Sequence, residues 1–171
     1  MSTNLLVEKG TIKISNNLKQ MGIQLNFAPV ADIGLNQDVI NTRSFSTNPA
    51  ILIERAEQFI NSSQNLNIGT TIKHFPGHGA IMGDSHKGNV YIDGTLTEVN
   101  NFEKIIKEAK PVAVMVGHIS IKNNKNYPPE TPASVSRRVI MGLLKNSRIP
   151  RFSSYRCNAN EGGTKYSERI I

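Results

Sequence analysis

The 171 residues include a single cysteine, Cys157, so no internal disulfide can form and a disulfide-stapled secreted fold is excluded. Tryptophan is absent and aromatics make up 6%, against 38% hydrophobic and 19% charged residues. That is an ordinary soluble composition, slightly poor in aromatics, and it excludes collagen-like and coiled-coil organisation. No apolar run approaches the roughly 20 residues that a membrane helix needs. The start, MSTNLLVEKG, has neither a basic stretch nor a long apolar one, so no signal peptide is expected. The length suits one domain with a real core and is short for a two-domain enzyme.

Charge is the one strong bias, with 20 basic against 13 acidic residues and a net of +7. Such an excess favours an anionic partner. Its distribution does not: residues 148–171 hold five basic against two acidic side chains, and the remainder is scattered Lys. No basic helix with interleaved aromatics is visible, so a nucleic-acid binder is not expected.

Helix-period segments alternate with short apolar runs. Ile14, Leu18 and Met21 fall on one helical face over Lys13–Met21, and Gly22 breaks it. Ile23–Val30 (IQLNFAPV) reads as a buried strand, followed by an Asn-rich loop. Asn48-Pro49 is a helix start, with Asn as cap and Pro at the first helical position. Ile53, Ala56, Phe59 and Ile60 form its apolar stripe. Ile68–His74 (IGTTIKH) is a second strand, and a Gly-rich loop runs from Phe75 to Gly94. Thr97 is a candidate cap for a helix with the stripe Val99, Phe102, Ile105, Ile106 and Ala109, ended by Pro111. Val112–Val116 (VAVMV) is the most apolar strand. Ser134 is a candidate cap for a last helix bearing Val135, Val139, Ile140, Leu143 and Leu144.

The order α-β-α-β-α-β-α, with continuously apolar strands, implies an α/β fold of parallel strands covered by helices. A doubly wound sheet and part of a (β/α)8 barrel both fit. Three clear strands cannot make a complete barrel, which takes about 200 to 250 residues.

The densest polar cluster is Lys73-His74-Phe75-Pro76-Gly77-His78-Gly79, then Asp84-Ser85-His86. It begins at the C-terminal end of a strand, the edge where α/β folds bind ligands. Gly77, Gly79, Gly83 and Gly88 allow positive-φ turns in the following loop, which is expected to be mobile. Three readings compete. His74, His78, Asp84 and His86 are possible ligands for a zinc-type ion, although the spacing lacks the usual zinc signatures. The histidines can instead serve local hydrogen bonds in the loop. Or the cluster is acid/base machinery: Asp84 accepting from one nitrogen of His86 fixes its tautomer and raises the basicity of the other.

KHFPGHG followed by DSH resembles the signature of family-3 glycoside hydrolases, in their β-N-acetylhexosaminidase branch. GIQLNFAPVADI from Gly22, VINTRSF over 39–45, VAVMVGH over 112–118 and PASVS over 132–136 agree in order and spacing. The resemblance covers about Met21 to Lys145. It implies a (β/α)8 TIM-type barrel, present here as about three parallel strands with outer helices. It implies retaining removal of terminal β-linked N-acetylglucosamine, from a GlcNAc-containing glycan or a muropeptide of peptidoglycan recycling, with no cofactor and no metal. On the matching motifs, His86 and Asp84 are the dyad that protonates the leaving glycosidic oxygen. Lys73, His74 and Arg43 match sugar-binding positions. The alternative for Arg43 is a structural loop anchor. A cytoplasmic location is the first expectation, with periplasmic or secreted ones open.

The chain also departs from the family pattern. The resemblance implies an Asp nucleophile at the end of the strand after LLKNS, yet no Asp follows Asp93. It also implies two further strands before IQLNFAPV. The expectation is a partial hydrolase domain over 1–147, followed by a tail, 148–171, unlike the family, of the kind a frameshift leaves. A non-catalytic sugar-binding remnant and a non-functional truncated product are the alternatives.

Overall fold

The computed structural model describes residues 3–81, 90–127 and 131–144, together with the backbone of short strands at 155–156 and 169–170. The chain order is α1 (Thr3–Gln20), β1 (Leu25–Asn26), α2 (Pro49–Gln64), β2 (Gly69–Phe75), β3 (Val90–Asp93), α3 (Val99–Ala109), β4 (Ala113–Val116), β5 (Ile119–Lys122), α4 (Arg137–Leu144), β6 (Tyr155–Arg156) and β7 (Arg169–Ile170). Single 3-10 turns lie at Asn41–Arg43 and Ala133–Val135.

The three expected strands are present and parallel: β1 pairs with β2, and β2 with β4. β1 is shorter than the run IQLNFAPV suggests: regular strand ends at Asn26, and the chain then stays beside β2 through the Ala28 and Pro29 carbonyls, which accept from Thr71 and Lys73 N–H at 3.0 and 3.2 Å, and through Val30 opposite Lys73. Four strands escaped the sequence reading, β3, β5 and the two-residue β6 and β7. VYID and ISIK, four residues each, form a separate parallel pair, β3–β5. β5 follows β4 after Gly117-His118, so this small sheet lies beyond the C-terminal end of the main one.

The apolar stripe of α3 is buried as its spacing dictates, and so is that of α2 except Ile53, which is half-buried. Asn48 caps α2, its side-chain oxygen accepting from the N–H of Ala50 at 2.9 Å and of Ile51 at 3.3 Å. Phe102 of α3 meets Phe75 of β2 edge to face, with centroids 5.6 Å apart. Ile60, Ile72, Ile105 and Val114 complete this core, which carries β2 at its centre.

Three expectations are corrected. Thr97 does not cap α3: the residue preceding the helix is Glu98, whose side chain makes no capping bond. Ser134 does not cap α4: the Ser136 hydroxyl accepts from Val139 N–H, while Ser134 lies in the preceding 3-10 turn and bonds a histidine. The face chosen for α1 is also wrong. Ile14 and Met21 are exposed, Met21 by 72%, whereas Thr11 and Ser15 are buried. Ser15 meets Ser63 of α2 hydroxyl to hydroxyl at 3.3 Å, and Asn4 donates to Glu54. Small polar side chains let the two helices approach closely, and that contact outweighs the apolar stripe.

The outer edge of β4 is not open, because β7 pairs with it antiparallel and β6 with β7. β1 remains an edge strand in the order β1-β2-β4-β7-β6. Leu25 and Phe27 beside it, with Leu5, Leu6, Ile12 and Ile14 of α1, are exposed apolar side chains. An unpaired strand edge flanked by apolar surface drives association. The isolated chain is expected to show a mass that rises with concentration in light scattering, and less so after Leu6, Met21 and Phe27 are replaced by Lys. A monodisperse monomer with a sharp cooperative melt would contradict this.

Candidate active site

Because β1 and β2 are parallel neighbours, the segments leaving their C-terminal ends meet on one edge of the sheet. Ala31 N–H donates to Lys73 carbonyl at 2.7 Å, extending the contact beyond β1 and bringing Asp32 opposite His74. Asp32 is fully buried. Its carboxylate accepts from His74 N–H at 3.0 and 3.1 Å, from His78 N–H at 2.8 Å, and from His74 Nδ1 at 2.7 Å. A carboxylate only accepts, so His74 Nδ1 carries the hydrogen. Nε2 is then the acceptor of the neutral ring and a donor in the charged one. The His74 side chain is only 8% exposed.

His78 is consumed within the turn. Asn36 Nδ2 lies 3.1 Å from both its Nδ1 and its carbonyl oxygen, and the ring is 2% exposed. The same Asn36 accepts Asp38 and Val39 N–H through its carbonyl oxygen, tying its own loop to the turn.

A second buried carboxylate crosses the same junction. Glu98 Oε2 accepts from Ile33 N–H at 2.8 Å, and Oε1 from Gly79 and Ala80 N–H at 3.0 Å each. Burial raises its pKa to about 7, with the Asp32 charge adding to the rise and the three N–H bonds opposing it. Two glycines make the approach possible. A Cβ at Gly79 would sit 2.0 Å from the Ile33 carbonyl oxygen. At Gly77, where φ is +129°, it would sit 2.5 Å from Glu98 Cβ. The start of the Gly-rich loop, expected to be mobile, is therefore held by two carboxylates as far as Ala80. Behind it lies an open cleft of about 110 Å³ lined by Pro76, Ile81, Asp93, Thr97 and Glu98.

Lys73 and His74 lie in the last three residues of β2, and His118 lies two residues beyond β4, so all three stand at strand C-terminal ends as their sequence positions suggest. Lys73 is half-buried. His118 Nδ1 is 2.8 Å from Ser134 Oγ, and burial lowers its pKa, which keeps the ring neutral at pH 7. Arg43 is exposed and spends its guanidinium on its own loop, Nε and Nη2 donating to Val39 carbonyl at 3.1 and 2.5 Å. That is the geometry of the loop anchor. Asp84 and His86 lie outside the described residues. Among the described residues no three His, Cys, Asp or Glu side chains gather as a metal site requires.

Sequence reasoning missed Asp32 and Glu98. Asp32 had a usable signal, a carboxylate directly after an apolar strand end. Glu98 had none, since a Glu at a helix start is ordinarily read as an N-terminal charge.

Residues 1–148 match the glycosyl hydrolase family 3 N-terminal domain. The chain belongs to glycosyl hydrolase family 3. It is 31% identical over 148 residues to "Beta-hexosaminidase A" of Pseudoalteromonas piscicida, a match covering 78% of this chain and 25% of that protein. It is 38% identical over 131 residues to a "Beta-hexosaminidase" of Actinobacillus pleuropneumoniae serotype 3, covering 74% of this chain and 37% of that one. A family 3 β-N-acetylglucosaminidase from Paenibacillus superposes with a TM-score of 0.74 at 30% identity, covering 84% and 28% of the two chains. NagZ from Neisseria gonorrhoeae gives 0.74 at 26%, covering 83% and 42%. The chain thus spans 25% and 37% of the lengths of these two curated relatives. The family fold is the barrel type, of which the parallel strands β1, β2 and β4 form a part.

In this family 3 chain the Asp32 carboxylate serves structure as well as site. Asp32→Ala leaves two backbone amides and a ring N–H buried without their acceptor. Losing the acceptor of a buried polar network costs on the order of 3–5 kcal/mol. Urea denaturation is expected to show a loss of that size, and a loss below about 1 kcal/mol would contradict the assignment.

Proposed function

We propose that this chain carries the sugar-binding edge and the proton donor of a β-N-acetylhexosaminidase, an enzyme removing terminal β-linked N-acetylglucosamine with retention. The observation that carries the reading is the Asp32–His74 pair at the end of β2, in a family 3 chain with relatives named β-hexosaminidases. A ring whose tautomer is set by a buried carboxylate offers a sugar hydroxyl a defined partner. Lys73 beside it supplies a cationic donor, and Arg43, on the loop after β1, is a third candidate contact. The substrate is a GlcNAc-containing glycan or a muropeptide, and the reading calls for no cofactor.

His86, oriented by Asp84, is the proposed acid. Its proton passes to the glycosidic oxygen as the bond to the anomeric carbon breaks. A carboxylate on the opposite face forms the covalent glycosyl-enzyme. Water then releases the sugar while the imidazole takes back a proton. No Asp follows Asp93 in these 171 residues, so the chain offers no candidate for that carboxylate. This favours a second reading of the chain taken alone, in which it binds the sugar without turning it over.

Calorimetry with N-acetylglucosamine, alongside hydrolysis of aryl and natural β-N-acetylglucosaminides, tests both readings. Binding is expected, and Lys73→Ala or His74→Ala should weaken it by about tenfold, the worth of one charge-assisted hydrogen bond. Where turnover occurs, His86→Ala should lower it by about 10² to 10⁴ on natural glycosides, and by much less on activated aryl leaving groups that need little protonation. Absence of both binding and turnover in the parent chain would overturn the reading.

A further inference from the structure

We propose that Glu98 is a positioning residue of the sugar edge: its carboxylate ties the Asp32 segment to the His74–Ala80 turn, and protonation releases that tie at Ile33. The role rests on the sugar-binding reading above and deepens it. Three separate segments converge on this side chain. One carries Ile33, directly after Asp32; one carries Gly79 and Ala80, directly after His78; the third is the start of α3 itself. A Glu at this position normally serves its own helix. Here it makes no capping bond to α3 and gives both oxygens to the loops after β1 and β2. The glycines fall where this requires them, Gly77 against Glu98 and Gly79 against Ile33.

The two oxygens are not equivalent. Oε1 accepts two N–H bonds and Oε2 one, so a proton settles on Oε2, where it displaces one amide instead of two. The Ile33 N–H then faces a donor and loses its partner. Ile33 is covalently next to Asp32, so the segment that orients His74 loosens, while the Gly79 and Ala80 bonds persist on a weaker, neutral acceptor. Among the described residues, the titratable groups on the elements packed around Glu98 are Asp32 after β1, His74 and His78 at the end of β2, and Asp93 at the end of β3. Burial and the Asp32 charge favour the acid and the three amides favour the carboxylate, which balances the exchange at about 7.

The experiment is an amide titration of the ¹⁵N-labelled full chain from about pH 5.5 to 8.5, with N-acetylglucosamine calorimetry at both ends, for wild type and Glu98→Gln. In wild type the Ile33, Gly79 and Ala80 amides should move together with a midpoint of about 7, and these transitions should vanish in Glu98→Gln. Sugar affinity should fall on acidification by roughly threefold to tenfold in wild type, the effect of a coupling of up to one pKa unit, and stay flat in the variant. Amides that do not move in wild type, or still move in Glu98→Gln, overturn the proposal. So does sugar affinity with the same pH dependence in both proteins. If the amides titrate as expected but no sugar binds at any pH, the tie is supported and the sugar-binding reading is what fails. If Glu98→Gln does not fold, the wild-type curves decide: the three midpoints must coincide with one another, and three separate midpoints overturn the proposal.

Discussion

The junction depends on one buried carboxylate facing one strand end. Taking Asp32 out of water costs several kcal/mol unless its oxygens are filled. They are filled by His74 N–H, the His74 ring and His78 N–H, all within 2.7–3.1 Å. The arrangement requires parallel β1 and β2 in the register that sets Leu25 opposite Gly69, because only then does the chain leaving β1 run alongside the end of β2. A slip of one residue would turn Asp32 away from His74 and leave both sides unpaired. The carboxylate is therefore a register lock as well as the group that orients the ring.

The remaining parts of the site follow from that contact. Asp32 next to Ile33 brings the Ile33 amide within reach of Glu98, and Glu98 in turn takes the two amides after His78. Gly117 N–H bonds Phe75 carbonyl at 2.9 Å, which continues the β2–β4 ladder past its end and sets His118 on the same edge as His74. Each link is a backbone group meeting a buried acceptor, so the edge is rigid without large side chains over it. For the sugar-binding role proposed above this matters: hydroxyl-binding groups stabilise a transition state only insofar as they are held before it forms.

Much of the framework was legible from residues. Apolar stripes at helical spacing marked α2 and α3, Asn48-Pro49 marked a capped start, and three β-branched or apolar runs marked the parallel strands. These signals are local, and local pattern dictates which face is buried when a helix packs on a sheet. α1 escaped because it packs on α2 through Thr11 and Ser15, where close approach matters more than hydrophobicity. β3 and β5 escaped because four residues carry too little periodicity, and each exists only by pairing with the other. In the site, His74 and Lys73 stood out as a dense polar run at a strand end. Glu98 did not, since its partners lie 18 to 65 residues away and are backbone amides that no side-chain pattern reveals. Asp84 and His86 rest on their spacing in the polar run and on the resemblance, and Arg43 is seen anchoring its own loop.

Asp32 sets which nitrogen of His74 carries the hydrogen. The measurement is the nitrogen-15 shifts of the neutral His74 ring in the folded chain, compared with Asp32→Asn. A protonated Nδ1 and an unprotonated Nε2 are expected in the parent protein, with that preference lost in the variant. A His74 ring protonated at Nε2, or unchanged by Asp32→Asn, would contradict it.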